Sequence, residues 1–426
     1  MAVRTTPVPA HFAFRKASIF PQHGPYALAG FTHRMSAHNQ LGVGDIFARV
    51  LWLSTNGQNL LFITLDTLYF PAQVRDAALG ILRSHGVFEQ NVVFNASHTH
   101  SAPSVAVASL GAINNHYLQF LQDTVCALLT SAAQALAPCI LTAGWANVPG
   151  LCINRRRLGL DMRSAFLKRR VLMLPNPSGW VNDRAWVLRI ASPSNALLGL
   201  VFSLACHPVF NINRNISSDF PGAVVERLER DLGCFGVFLQ GFSAEVRPNF
   251  TTRWPAHPVL LLKALFNGPV FPRYCAAHFQ TFVNRLVTAL KEALGSASIP
   301  FGETVITRRL EYSLASRTGV QTRSFPMLLW RVGECVLLSL PAEVAAGYDC
   351  RLAAAAHPLH FIGLGLGADP VGYLPTAVQV REGGYEVECA ANYGWDGPLD
   401  GDTLRGLEDY LVSAVKDVCQ HTNAYA

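Results

Sequence analysis

The 426-residue chain is 50% hydrophobic and 15% charged, with a formal net charge of +6. That composition excludes a disordered chain, and the length allows one large core or two ordinary domains. No apolar run reaches the length of a membrane span, and the opening Met1-Ala2-Val3-Arg4-Thr5-Thr6-Pro7 lacks the apolar stretch of a secretory signal, so a cytoplasmic protein is expected.

In chain order, apolar runs alternate with helical spacing. Residues 60–65 read as a buried strand ending at Asp66, and 72–85 as a helix stopped by Gly86. A second strand, 92–96, leads into Ser97-His98-Thr99-His100-Ser101. A long helix over 116–137 is closed by Pro138. The run 200–205 is a further buried strand and leads into Cys206-His207-Pro208. A polar, turn-rich loop over 211–222 follows, then a helix over 221–232 with Pro221 in its first turn, and a buried strand over 235–239. The apolar stretch 254–271 is bracketed by prolines and reads as a lid, a pocket wall or a surface-packed loop. A helix over 275–294 and alternating strands over 303–314 come next. The last elements are a buried strand over 335–340, a helix opened by Pro341, a core strand over 361–364 and a closing helix over 402–418. This β-α-β-α order predicts the α/β class, with a mixed, mostly buried sheet covered by helices in a single domain spanning 1–426.

The two histidine segments lie more than a hundred residues apart, yet each follows a predicted core strand, and in α/β folds the carboxyl ends of strands are where sites assemble. On an extended chain residues two apart point to one side, so His98 and His100 are expected to face one cavity. With His207 arriving from another strand, the pattern points to a metal, zinc by preference, that still needs a carboxylate. Glu343, just beyond the strand over 335–340, is the candidate, read otherwise as a first-turn acid on the helix dipole. Asp66 is the competing ligand or a partner to a histidine. The ten cysteines form no CxxC pair and sit mostly in apolar surroundings, so nitrogen and oxygen must hold any metal.

Arg155, Arg156, Arg157, Arg163, Lys168, Arg169 and Arg170 fall within sixteen residues. They read as a solvated face or an anion site. Without interleaved aromatics the cluster does not read as a single-strand nucleic-acid site, and no nucleic-acid partner is expected.

Several of these segments, in order, resemble the neutral ceramidases. Ser97-His98-Thr99-His100-Ser101-Ala102-Pro103 is similar to that family's S/T-H-T-H-S-G-P segment, and Asn154-Arg155 to its N-R pair. Cys206-His207-Pro208 with Ser217-Ser218-Asp219-Phe220-Pro221-Gly222 resembles its second histidine and S-D-N-x-G segment. The run from Gln240 to Asn249 resembles Q-S-N-x-G-D-x-S-P-N, Pro341-Ala342-Glu343 resembles P-G-E, and Tyr373 and Tyr385 reproduce a tyrosine pair twelve apart, the second followed by Glu386. The matches run from roughly residue 30 to 395.

The resemblance implies a zinc-dependent amidase fold, with one Zn2+ per chain held by His98, His207, Glu343 and Tyr373. His100, Arg155 and Tyr385 would then surround the scissile carbonyl, His100 moving protons and the other two donating hydrogen bonds to the developing oxyanion. The family's second, immunoglobulin-like domain is not expected here. Departures bear on substrate: Phe220 replaces an asparagine, while Gly241 and Arg247 replace serines. The expected partner is a small-molecule N-acyl amide, with Arg156, Arg157 and Arg247 favouring one that bears a carboxylate or phosphate. Two alternatives stand beside hydrolysis: amide formation or acyl transfer at the same site, and a non-catalytic binding scaffold.

Overall fold

A computed structural model describes residues 9–30, 44–162, 168–211, 214–272 and 275–420. Its first half begins with an antiparallel meander of β1 (Ala10–Ser18), β2 (Phe47–Thr55) and β3 (Gln58–Leu65). Helix α1 (Ala72–Arg83) then crosses over to β4 (Val92–Ala96), which lies parallel to β3. Helix α2 (Asn115–Ala133) is opened by the Asn114 side chain, which accepts from the Tyr117 N–H. Next come β5 (Ala137–Asn147), β6 (Cys152–Asp161), β7 (Lys168–Asn176), β8 (Arg184–Ala191) and β9 (Leu197–Leu204). Helix α3 (Asp219–Leu232) makes a second crossover, to β10 (Phe235–Gln240), parallel to β9.

The second half adds β11 (Val246–Pro248), α4 (Pro258–Asn267), α5 (Ala276–Ser296) and β12 (Ile299–Pro300). The hairpin of β13 (Val305–Ala315) and β14 (Thr322–Val332) leads to β15 (Cys335–Ser339), the short β16 (Glu343–Val344), α6 (Gly347–Ala356) and β17 (His360–Leu364). The chain closes with β18 (Tyr373–Leu374), α7 (Ala377–Glu382), α8 (Tyr385–Glu388) and α9 (Gly401–Gln420).

Among the described residues the strands form a nine-stranded sheet ordered β10-β9-β8-β5-β1-β2-β3-β4, with β12 added on β5, and a four-stranded sheet ordered β13-β14-β15-β17. Two small sheets, β11-β6-β7 and β16-β18, complete the set. The two large sheets pack face to face, with Leu51, Leu53, Phe62, Trp186 and Leu188 against Trp330, Val332, Leu337 and Ile362. Helices cover the outer faces: α1 and α2 over one end of the large sheet, α3 and α5 over the other, and α6 and α9 over the smaller sheet. The α/β expectation of a mixed, mostly buried sheet under helices therefore holds, with two stacked sheets in place of one. Sandwiching explains why Leu60 to Leu65 is buried on both faces and reads as a continuous apolar run. By contrast β13 alternates, one face meeting solvent.

The edge strands β4 and β10 are joined by a side chain. Asn95 Oδ1 accepts from the Gln240 N–H at 2.8 Å, and its Nδ2 donates to Gly365 O at 2.7 Å. The Gly365 N–H donates in turn to Gln240 O, and the Ala96 N–H to Leu366 O. The end of β17 is thus laid between the ends of β4 and β10, where side chains would obstruct: a Cβ on Gly241 would stand 3.0 Å from the Ala205 nitrogen.

One expected element differs. Pro341 does not open a helix, because residues 343–344 pair in parallel with Tyr373 and Leu374, and the helix begins only at Gly347. The stretch 254–271 carries α4, whose Ala264 packs with Leu174 and Val270, so it is a short helix docked on β7. Asn95 is fully buried, so Asn95→Ala strands the Gln240 N–H and the Gly365 carbonyl. A loss of about 2–4 kcal/mol is expected, read from a lower urea midpoint at unchanged m-value.

Candidate metal centre

The site lies where the carboxyl ends of β4, β9, β10 and β15 converge. Beyond β4 the chain turns sharply, and His98 adopts φ 66°, a left-handed conformation costly for a residue with a Cβ. It is held there by the segment after β3: its N–H donates to Thr67 O at 3.0 Å and its Nδ1 meets Leu68 O at 2.9 Å. His98 and His100 do face one space, with ring centroids 5.0 Å apart. The reason is this turn and not the extended strand geometry expected, since β4 ends at Ala96. His100 packs against Gly30, where a Cβ would lie 2.3 Å from its ring nitrogen.

His207 is held in the same manner by the segment after β10. Its N–H donates to Val246 O at 2.9 Å, and its Nδ1 meets Ser243 O at 2.6 Å. The Gln240 amide braces both segments, donating to Cys206 O and Ser243 Oγ. Glu343, the third arrival, lies on β16 opposite Tyr373, with its N–H donating to Gly372 O at 2.8 Å.

The three side chains meet at one atom. Glu343 Oε2 is 3.2 Å from His98 Nε2 and 3.1 Å from His207 Nε2, and all three residues are buried. A carbonyl only accepts, so Leu68 O and Ser243 O place the proton of each ring on Nδ1. Burial and the nearby Arg155 push His207 down to about 4, so at neutral pH its Nε2 carries a lone pair. His207 Nε2 thus turns a lone pair toward the same carboxylate oxygen that His98 Nε2 approaches, and a cation placed among the three would be attracted by all of them. Donors held about 2.0–2.2 Å from one ion in a tetrahedron stand roughly 3.3 Å apart, close to the separations here. His98, His100 and His207 offer ring nitrogens all within 4.8 Å of one another, a cluster able to hold a metal. Two imidazoles and a carboxylate suit a borderline divalent ion, so the donor set fits.

The other carboxylate oxygen is occupied. Glu343 Oε1 lies 2.5 Å from the Tyr69 hydroxyl and 2.9 Å from that of Tyr393, and the two hydroxyls are 2.7 Å apart. Two protons serve three short contacts, so at least one donates to the carboxylate and favours its ionised form. Both tyrosines were missed in the sequence. Tyr69, three residues past the strand ending at Asp66, had the position of a site residue; nothing marks Tyr393. Asp66 itself is neither ligand nor histidine partner, because it bonds Arg49 Nη1 at 2.7 Å and the Phe47 N–H at 2.9 Å.

Tyr373 adjoins this centre through its pairing with Glu343, and its hydroxyl accepts from Arg155 Nη2 at 3.1 Å. Arg155 Nε donates to Glu386 Oε1 at 2.9 Å, and Arg156 Nη1 to Glu386 Oε2 at 2.7 Å. Burial opposes the charge on Glu386, but the two arginines hold its carboxyl below the usual range. The β6–β7 register slips here, with Asn154 facing Asn176 but Arg156 facing Met173, a bulge at the point where consecutive arginines reach one carboxylate. Tyr385 stacks edge-on with Tyr373, centroids 5.6 Å apart, and is 41% exposed, at the solvent side of the group. The structure thus places near one another the seven residues that the resemblance assigned, His98, His100, Arg155, His207, Glu343, Tyr373 and Tyr385. The arginine run divides: Arg163 lies outside the described residues, Lys168 and Arg169 are exposed, and Arg170 pairs with Asp161 at 2.8 Å.

No family model matches the chain, and no curated protein matches it. Solved structures do match in fold. The neutral ceramidase from Pseudomonas aeruginosa superposes with a TM-score of 0.73 at 17% identity, covering 99% of this chain and 77% of that one. A ceramidase complexed with C2 gives a TM-score of 0.73 at 17% identity, covering 98% of this chain and 77% of that one. The chain thus has a neutral-ceramidase-like fold, as the motif order implied. No helix among the described residues is long and apolar enough to cross a membrane.

Behind Arg155 lies a buried acid. Glu245 accepts from the Ala346 N–H at 3.1 Å and from Gln379 Nε2 at 2.8 Å, while its own carbonyl accepts from the Arg155 N–H. Burial and the nearby Glu386 push Glu245 up to about 7. A folded-state value above the unfolded one means that the native state holds the extra proton between roughly pH 4.5 and 7, so this group lowers stability as pH rises through that window. Glu245→Gln should flatten the fall by up to one proton's worth, about 1.4 kcal/mol per pH unit, in urea titrations at pH 5, 6 and 7. An unchanged slope would mean that Glu245 does not hold the proton.

Proposed function

We propose that this chain is a metal-dependent hydrolase, zinc being the preferred ion, that cleaves the amide bond of an N-acyl substrate. The observation that carries this reading is the convergence of His98 Nε2 and His207 Nε2 on Glu343 Oε2 at 3.1–3.2 Å, with both Nδ1 protons fixed by carbonyls. His98, His207, Glu343 and Tyr373 would hold the ion. When bound, it supplies a Lewis acid that polarises a carbonyl and acidifies water.

The chain's own groups divide the remaining work. Arg155 is oriented by Glu386 and directed at the Tyr373 hydroxyl, which places a fixed cation beside the centre for charge developing on a carbonyl oxygen. Tyr385 offers a second hydroxyl from the solvent side. His100 is half-buried and farther out than the other two histidines, suited to carrying a proton toward a leaving amine. An apolar acyl portion draws support from the exposed apolar surface of and before α4. Trp254, Val259, Leu262, Leu265 and Phe266 are exposed on and before α4, which packs on the sheet that carries Arg155.

Plasma mass spectrometry should find about one zinc per chain in the wild type and none in His207→Ala, with N-dodecanoyl amide hydrolysis lost alongside it. A wild type that takes up no divalent ion, or that hydrolyses fully without one, would sink the reading. The neighbouring partners give a finer test. Tyr69→Phe should weaken zinc affinity by about 10–100-fold. Glu386→Gln should lower kcat by about 10–100-fold with a smaller loss of zinc affinity than Tyr69→Phe, because it loosens Arg155 directly and the ligands only through Tyr373.

A further inference from the structure

The arginines around the centre differ in how far their charge is used. Arg155 is paired with Glu386 and bonded to the Tyr373 hydroxyl. Arg156 is saturated by Glu386, by Glu382 at 3.1 Å and by Gly383 O at 2.8 Å. Arg157 donates to Asn267 O. Arg247 is another matter. It sits on β11 opposite Ile153 of β6, two residues before Arg155, and near enough to Arg155 for the two charges to repel.

Among the described residues Arg247 makes no hydrogen bond and no ion pair, and its Nε is sealed from solvent without a partner. Its guanidinium lies 4.1 Å over the Phe271 ring, which fixes its plane but leaves its N–H groups unused. Asp219 attracts it, yet that carboxylate is committed to the Asn211 and Phe220 N–H groups, each at 2.6 Å. Burial and the repulsion from Arg155 push Arg247 down to about 10, the mark of a cation lacking a counter-ion. The neighbouring residue, Val246, accepts the His207 N–H, so this unused fork stands one residue from a strut of the centre.

We propose that Arg247 anchors an anionic group, a carboxylate or a phosphate, on the amine half of the substrate. The inference rests on the N-acyl amide reading, in which the acyl half is apolar and the charge belongs to the other half. A guanidinium with unused donors in a partly dehydrated setting matches the two oxygens of either anion, and a planar stack beneath it holds the fork in place.

The test is calorimetric binding to the full-length protein of three dodecyl urea mimics of the amide, which bind without turnover. One ends in glycine, one in phosphoethanolamine and one in neutral ethanolamine. At least one anionic mimic should bind about tenfold or more tightly than the neutral one, and which of the two does so decides between carboxylate and phosphate. That ratio should collapse in Arg247→Met and be partly restored in Arg247→Lys. Equal binding of all three by the wild type, or a ratio that survives in a folded Arg247→Met, overturns the proposal; the wild-type comparison decides it even where a variant fails to fold. Hydrolysis of the matching amides by the zinc-loaded protein is scored separately. Turnover without anion preference sinks this inference alone, whereas anion preference without turnover sinks the amidase reading alone.

Discussion

The arrangement depends on one carboxylate. Glu343 has two oxygens with two different surroundings: Oε1 is taken by tyrosine hydroxyls, and Oε2 is turned toward two imidazole nitrogens. Two imidazole nitrogens and a carboxylate oxygen meeting in a buried space form a donor set that a divalent cation would draw together. Tyr69 and Tyr393 then have a definite effect, since by occupying Oε1 they leave only Oε2 to point inward.

The fold delivers the two histidines by one device used twice. Each is steadied by carbonyls from the segment just beyond a parallel neighbour, 67–68 beyond β3 for His98 and 243–246 beyond β10 for His207, whereas Glu343 lies within β16 and its N–H donates to Gly372 O just before β18. Parallel pairs put both carboxyl ends at the same side, so a residue leaving one strand finds unpaired backbone acceptors leaving the next. Antiparallel neighbours would present a turn there instead. Asn95 and the close approach at Gly241 let the ends of β4, β10 and β17 come together closely enough for the three segments to meet.

Much of this was legible in the chain. The buried runs at 60–65, 92–96, 200–205, 235–239 and 335–340 are apolar because they lie between layers, and strands of that kind announce themselves without a turn of alternation. What followed each run, His98, His207 and Glu343, was therefore placed at the right end of the right strand. The strands from β5 to β8 were harder: β6 and β7 carry arginines and half-exposed residues, and their pattern reads as a charge run. The short β16 was misread because Pro341 is equally at home before a helix, and only pairing with Tyr373, thirty residues on, settles the backbone as strand. Long-range pairing of two-residue strands has no local signature. The same holds for Tyr393, whose contact with Glu343 crosses fifty residues.

The charge run at 155–170 shows how little a count of arginines says until their partners are known. Two consecutive guanidiniums sharing one buried carboxylate at 2.7–2.9 Å form a rigid unit, because each oxygen of Glu386 is engaged from a different side. That unit fixes Arg155 against Tyr373, and Tyr373 is paired with Glu343, so the orientation of the cation is tied to the position of the carboxylate through two contacts. A donor held this way needs no reorganisation when charge appears on a carbonyl oxygen. Arg247, by contrast, is positioned by stacking and backbone pairing alone, and its N–H groups are left for a group the chain itself does not provide. A three-stranded sheet thus carries two kinds of cation, one neutralised and aimed, the other unneutralised and waiting. The difference between them lies in the carboxylates around them and not in the arginines.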